Sequence, residues 1–187
     1  VNVLLINGTI IGSKTKTLLS EISNHLNHSL VDTKVEQLYL EDYDIQFADA
    51  RSKEEYNEDT KELINIVEKA DAYVIATPIF QGSIPGVLKN LFDLLSPKAM
   101  RYKPVAVVAN GGTHQHHLVI ENQLKPILDY FKCLVTPNYV YTHDSHFSYM
   151  NELIDEDAKQ RIYELVRVFR HYVDMSQDIL DGDHLKG

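Results

Sequence analysis

The apolar run Ala72-Tyr73-Val74-Ile75-Ala76 passes directly into Thr77-Pro78-Ile79-Phe80-Gln81-Gly82-Ser83-Ile84-Pro85-Gly86 and then into the spacing Val87, Leu88, Leu91, Leu94, Leu95. A short unbroken apolar run bounded by turn formers fits a strand buried on both faces. The later spacing is that of an amphipathic helix, with Pro85 near its start. In an open α/β sheet, ligands bind beyond the carboxyl ends of the strands. Two prolines, two glycines and one aromatic at that position make a stiff apolar wall suited to a planar ring.

The rest of the chain repeats this alternation. Residues 1–6 form an apolar run, and Leu18, Leu19, Ile22 and Leu26 fall on one helical face. A second strand is expected over residues 35–40 and a polar, Asp-rich loop over 42–56. Leu63, Ile64, Ile66 and Val67 mark a second helix, and residues 104–109 a fourth strand. A helix over 118–131 is interrupted by Pro126, which must kink it or sit at a junction. Residues 134–135 and 139–141 read as one fifth strand broken at Pro137. Residues 155–175 read as a long amphipathic helix, and 181–187 as a mobile tail. Five strands alternating with five helices imply a parallel, doubly wound α/β sheet in order 2-1-3-4-5 with helices on both faces. Residues 1–187 are read as one domain.

Composition narrows the function classes. The formal charge of −9 argues against a nucleic-acid surface. No apolar run approaches the length of a membrane span. A single cysteine, Cys133, excludes an internal disulfide and fits a reducing cytoplasm. The opening run has no basic region or cleavage site, so no secretory signal is expected.

Three loops then converge on the carboxyl edge. The first, residues 7–17, carries Gly8, Gly12 and the hydroxyls of Thr9, Ser13, Thr15 and Thr17 before a helix. Amides and hydroxyls at a helix start suit one phosphate, although a serine or threonine there can simply cap the helix. Gly8 and Ser13-Lys14-Thr15 miss the triphosphatase P-loop by one glycine. No acid closes strand three or four to hold its magnesium ion. The second loop is 77–86. The third, Asn110-Gly111-Gly112-Thr113-His114-Gln115-His116, follows strand four, where paired glycines let the backbone approach a flat ring.

Together these residues resemble the flavodoxin-like NAD(P)H-dependent FMN reductases, including the flavin-supplying partners of two-component monooxygenases. Residues 77–80, Pro85-Gly86-Val87-Leu88-Lys89-Asn90 and Asp93 are similar to the family's T-P-x-Y…G-x-L-K-N…D segment. Gly111-Gly112-Thr113, His116, Leu124-Lys125-Pro126 and Leu128 match the G-G-S…H…L-K-P-x-L spacing of its sulfonate-linked branch. The resemblance implies a three-layer flavodoxin-like sandwich that binds FMN and draws electrons from NADPH or NADH. Thr9, Ser13, Lys14 and Thr15 would hold the phosphate. Pro78, Ile79 and Phe80 would wall the ring, Gly111, Gly112 and Thr113 would meet its pyrimidine side, and Gln81, Gly82 and His116 are further cofactor-binding candidates. Many members carry an arginine near Ile10-Ile11; here Lys14 offers a point charge instead.

The implied reaction is hydride transfer from nicotinamide to flavin, then to free flavin, a quinone or an azo compound. It needs no side-chain base, and no catalytic residue is named. A homodimer or tetramer, and a flavin-using monooxygenase as partner, are implied by the same resemblance. The alternative is a flavodoxin-like electron carrier without NAD(P)H turnover. His114, His116, His117, His143 and His146 all fall near one sheet edge and read as polar loop residues, with no metal expected.

Overall fold

The computed structural model describes residues 1–29 and 32–182. Six parallel strands form one sheet: β1 (Asn2–Asn7), β2 (Lys34–Tyr39), β3 (Ala72–Pro78), β4 (Pro104–Gly111), β5 (Leu134–Val135) and β6 (Val140–His143). The order is β2-β1-β3-β4-β5, with β6 also pairing β4. Five α-helices cover it: α1 (Lys14–Ser29), α2 (Glu58–Lys69), α3 (Gly86–Leu94), α4 (Lys125–Tyr130) and α5 (Glu156–Asp181).

Burial explains the order. β4 is buried along its whole length and β3 up to Thr77, so both must lie inside the sheet. Only Leu38 of β2 is buried, which suits an edge strand. Alternate residues feed opposite cores. Leu4, Ile6, Tyr73, Ile75, Val105 and Val107 pack under α2, α3 and α4, whereas Val3, Leu5, Val74, Ala106 and Val108 pack under α1 and α5.

The termini of the helices follow from local chemistry. Asn57 caps α2 by accepting from the Thr60 amide at 2.9 Å, and Asp155 caps α5 by accepting from the Ala158 amide at 2.7 Å. Asp155 is therefore the cap rather than the first turn of α5, and the helix extends to Asp181, beyond its expected end at 175. Residues 183–187 of the expected mobile tail lie outside the described residues.

The prolines break elements where expected. β5 pairs with Pro104 and Val105, and β6 with Val108 to Gly111, so the fifth strand is two pieces flanking Pro137 on the same neighbour. Pro126 falls in the first turn of α4, where its missing N–H costs little. Just before it the chain widens into one π turn, Ile120–Leu124, in which the Lys125 amide reaches back to the Ile120 carbonyl. The single helix expected over 118–131 thus follows a 3₁₀ turn, His114–His117, and consists of a short helical start, the π turn and α4. The acidic loop after β2 contains two 3₁₀ turns, Leu40–Asp42 and Lys53–Glu55. Asn90 of α3 pins this loop, accepting from the Ala48 amide at 2.9 Å and donating to the Gln46 carbonyl at 3.0 Å.

Candidate functional site at the carboxyl edge of the sheet

β1, β3 and β4 release the three loops side by side, and a cleft of about 310 Å³ opens between them. Ile11, Gly12, Ser13, Lys14 and Thr15 form one wall, Pro78 and Phe80 a second, and Asn110 and Asn151 the floor and far side. A larger hollow of about 570 Å³ lies between α3 and α4, but its ionic groups Lys89 and Asp93 pair with each other. The convergent polar groups lie in the smaller cleft.

In the first loop, the Gly8 amide donates to the Ala76 carbonyl at 2.8 Å, fastening the loop across β3. A Cβ at Gly8 would lie 2.8 Å from Leu88 Cδ2 and 2.9 Å from that carbonyl, so packing alone requires glycine. Thr9 is fully buried; its Oγ1 donates to the Ile11 carbonyl at 2.8 Å and accepts from the Ile11 amide at 3.2 Å. Its hydroxyl shapes the loop and does not line the cleft. Ser13 precedes α1 and is exposed, its carbonyl accepting from the Thr17 amide.

Thr15 differs from its neighbours. It is 2% exposed, it lines the cleft, and its Oγ1 has no hydrogen-bond partner. A buried hydroxyl without a partner costs on the order of 1–3 kcal/mol. Such a group at a helix N-terminus, where backbone amides also lack intrahelical acceptors, is a ready receptor for anionic oxygen. The cation beside it is Lys14, whose Nζ stands 3.7 Å from Asp144 Oδ1. Asp144 is itself held by Asn110, whose Nδ2 donates to Oδ1 at 2.8 Å, and Asn110 accepts from Thr142 Oγ1 at 3.0 Å.

The second loop is a tight hairpin. Phe80 and Ser83 exchange backbone hydrogen bonds of 2.8 and 3.0 Å around Gln81 and Gly82, with φ of 50° and 72°. Positive φ at both central positions is what a type I′ turn demands. Gln123 on the π turn steadies the tip by donating to the Gly82 carbonyl at 3.0 Å and accepting from Ser83 Oγ. Gln81 and Gly82 therefore sit at an exposed tip outside the cleft, while Pro78 and a 39% exposed Phe80 face it. Ile79 packs against the α2–α4 core instead.

The third loop leaves the sheet at Gly111, where an added Cβ would collide with Tyr141 Oη. Tyr141 Oη donates to the Thr113 carbonyl and His143 Nε2 to the Gly112 carbonyl, the latter at 3.0 Å. Gly111 to Thr113 are thus moored to β6 and do not line the 310 Å³ cleft. His116 lies on the following 3₁₀ turn, its amide 3.4 Å from the Thr113 carbonyl. The two histidine groups do meet: the rings of His114 and His143 stack with centroids 4.6 Å apart. Among the described residues, no three His, Cys, Asp or Glu side chains are grouped to hold a metal ion.

The family model described as NADPH-dependent FMN reductase matches residues 1–147, which include all three loops. The chain belongs to this reductase family. The chain is 49% identical over 160 residues to an NAD(P)H-dependent FAD/FMN reductase of Geobacillus thermodenitrificans, covering 86% of each chain. It is 33% identical over 150 residues to the NADH-dependent FMN reductase SfnF of Pseudomonas fluorescens, covering 79% of this chain and 76% of that one. Among solved structures, an oxidoreductase from Corynebacterium diphtheriae superposes with a TM-score of 0.76 at 20% identity, over 93% of this chain and 97% of that one. Oxidised flavodoxin 1 from Bacillus cereus superposes at 0.64 and 10% identity, over 91% and 98%. The fold is flavodoxin-like.

Around the cleft, sequence reasoning named Asn110 only as the start of the third loop and missed Asn151 and Asp144. Asn110 follows directly on the apolar run of β4 and could have been added. Asn151 has no local signal; it reaches the cleft because its carbonyl accepts from Thr17 Oγ1 at 2.8 Å. Asp144 becomes visible only once β6 is aligned with β4.

Proposed function

We propose that the chain catalyses NAD(P)H-dependent reduction of FMN, with the FMN phosphate seated against Ser13, Lys14 and Thr15 and the ring against Pro78 and Phe80. The observation that carries this reading is the buried, unpartnered Thr15 hydroxyl in a cleft whose opposite wall is apolar and stiff. A phosphate would give that hydroxyl its acceptor and the free amides of α1 their charge. FMN, when bound, supplies the hydride-accepting ring. The chain's own part is to hold the phosphate, to exclude water along Pro78 and Phe80, and to present one ring face to the nicotinamide in reacting geometry. The moored backbone of Gly111 to Thr113 would meet the ring's polar edge, with Asn110 beneath it. Thr9, Gln81 and Gly82 would shape the two loops without touching the ring.

Free flavin, a quinone or an azo compound would accept the electrons. A flavin-using monooxygenase is the partner proposed for the first of these. Among the described residues no helix is long and apolar enough to cross a membrane. We place the enzyme in the cytoplasm as a homodimer or tetramer. Steady-state oxidation of NADPH and NADH by the purified chain, with FMN added and no partner protein, tests the reading. Turnover proportional to enzyme supports it. Tight FMN binding without turnover would leave an electron carrier instead.

A further inference from the structure

Beyond the third loop, on the side away from the phosphate cleft, a second cleft of about 540 Å³ is lined by His114, His117, Tyr139, Tyr141, His146 and Arg161, with Gln115 at its rim. We propose that it binds the adenosine 2′-phosphate end of NADPH; this rests on the reading of the chain as an NAD(P)H oxidoreductase. It is a concentration of donors on a chain whose net charge is −9, where an anion is held only by specific local groups.

The hydrogen-bond assignments fix what each side chain can offer. Arg161 donates from Nη1 to the Tyr141 carbonyl at 2.9 Å and from Nε to Asp157 at 2.9 Å, while Nη2 has no partner among the described residues. The guanidinium is thus oriented by two bonds and retains a charged donor for a phosphate oxygen. His146 Nδ1 accepts from the His143 amide at 3.1 Å, so the neutral ring carries its proton on Nε2 and presents a second donor. His117 Nδ1 pairs with the His114 carbonyl at 2.7 Å, which leaves Nε2 as an acceptor for a ribose hydroxyl. The stacked His114 ring and the phenols of Tyr139 and Tyr141 supply flat surface for a purine. Two phosphate donors, one hydroxyl acceptor and aromatic faces match a nucleotide bearing a phosphate on its ribose. The acids nearby are engaged elsewhere: Asp157 with Nε of Arg161, Asp144 with Asn110 and Lys14, and Glu121, beside Tyr139, with Lys125 at 3.2 Å.

The cleft is also placed for the reaction. Its lining residues His114 and Gln115 belong to the third loop, whose Gly111 to Thr113 are proposed to meet the flavin ring. A dinucleotide anchored here would reach over that loop toward Phe80.

Calorimetric titration of the full-length protein with adenosine 2′,5′-bisphosphate and with adenosine 5′-monophosphate tests the assignment. The bisphosphate is expected to bind about tenfold more tightly or better, a preference worth ~1.4 kcal/mol. Arg161→Gln and His146→Gln should each erode that ratio, and Arg161→Gln should move the ratio of the two donors' KM values toward one. FMN affinity, measured on the same samples by fluorescence quenching, reports that each variant is folded. Equal affinity for the two nucleotides, or a ratio unmoved by both substitutions, would overturn the proposal. The titration needs no flavin, so failure of the wild-type chain to bind FMN would count against the reductase reading alone.

Discussion

Replacing Thr15 with valine separates binding from folding at one atom. The hydroxyl has no protein partner, so its loss leaves stability unchanged or slightly raised. If it serves the phosphate, FMN affinity falls about tenfold, as expected for a hydrogen bond to a charged group, while riboflavin affinity does not change. Fluorescence titration with both flavins, beside a thermal melt, checks this. Asp144 has the opposite sign. Its carboxylate shares Lys14 with any bound anion and is kept in place by Asn110. Surface pairs of this kind contribute up to ~1 kcal/mol, so Asp144→Asn should free Lys14 and tighten FMN binding roughly two- to fivefold, again without effect on riboflavin. At this scale the sequence was a partial guide. Four hydroxyls around the start of α1 signalled an anion site, yet only the tertiary structure distinguishes Thr15, which faces the cleft unpartnered, from Thr9, which is bonded within its own loop. Asp144 and Asn151 are brought in by tertiary contacts that no local pattern encodes.

The loops function as units because each is fastened to a neighbouring strand or helix. Gly8 is clamped between Ala76 and Leu88, and Gly111 lies under Tyr141. Gly111→Ala should displace the Tyr141 ring, break its bond to the Thr113 carbonyl and loosen the third loop. Overpacking of this kind costs ~1–3 kcal/mol. Urea unfolding would show it as a lower midpoint at unchanged slope, and Tyr141→Phe, which loses only the hydroxyl, should cost less. The strands and helices themselves were legible because their apolar periods are strong and long. The π turn before Pro126 was not, because it depends on where one missing N–H leaves the preceding carbonyls. The split of the fifth strand was legible only as a broken run at Pro137; its two halves share β4 by pairing, which a sequence does not display.

For the whole molecule, the core under α2, α3 and α4 half-buries Cys133. Burial pushes its thiol up to about 12, with the Asp129 carboxylate adding to the shift. An unfolded thiol ionises near pH 8.5, so the unfolded chain loses this proton first. Stability tied to Cys133 is full below that pH and is lost as pH rises toward about 12. Alkylation at pH 8 should therefore be slow in the folded protein and fast in denaturant, making labelling a report of unfolding. Added FMN should slow it further if the cofactor binds only the folded state. The layered architecture and the position of the site at its carboxyl edge followed from the strand–helix alternation, and they leave one central claim, that this edge presents a flavin to a nicotinamide. Anaerobic stopped-flow absorbance at the flavin band, with protein, FMN and NADPH and then NADH, tests it most directly. The account predicts rapid enzyme-dependent bleaching, faster with NADPH. FMN that binds and stays oxidised with both donors would contradict it.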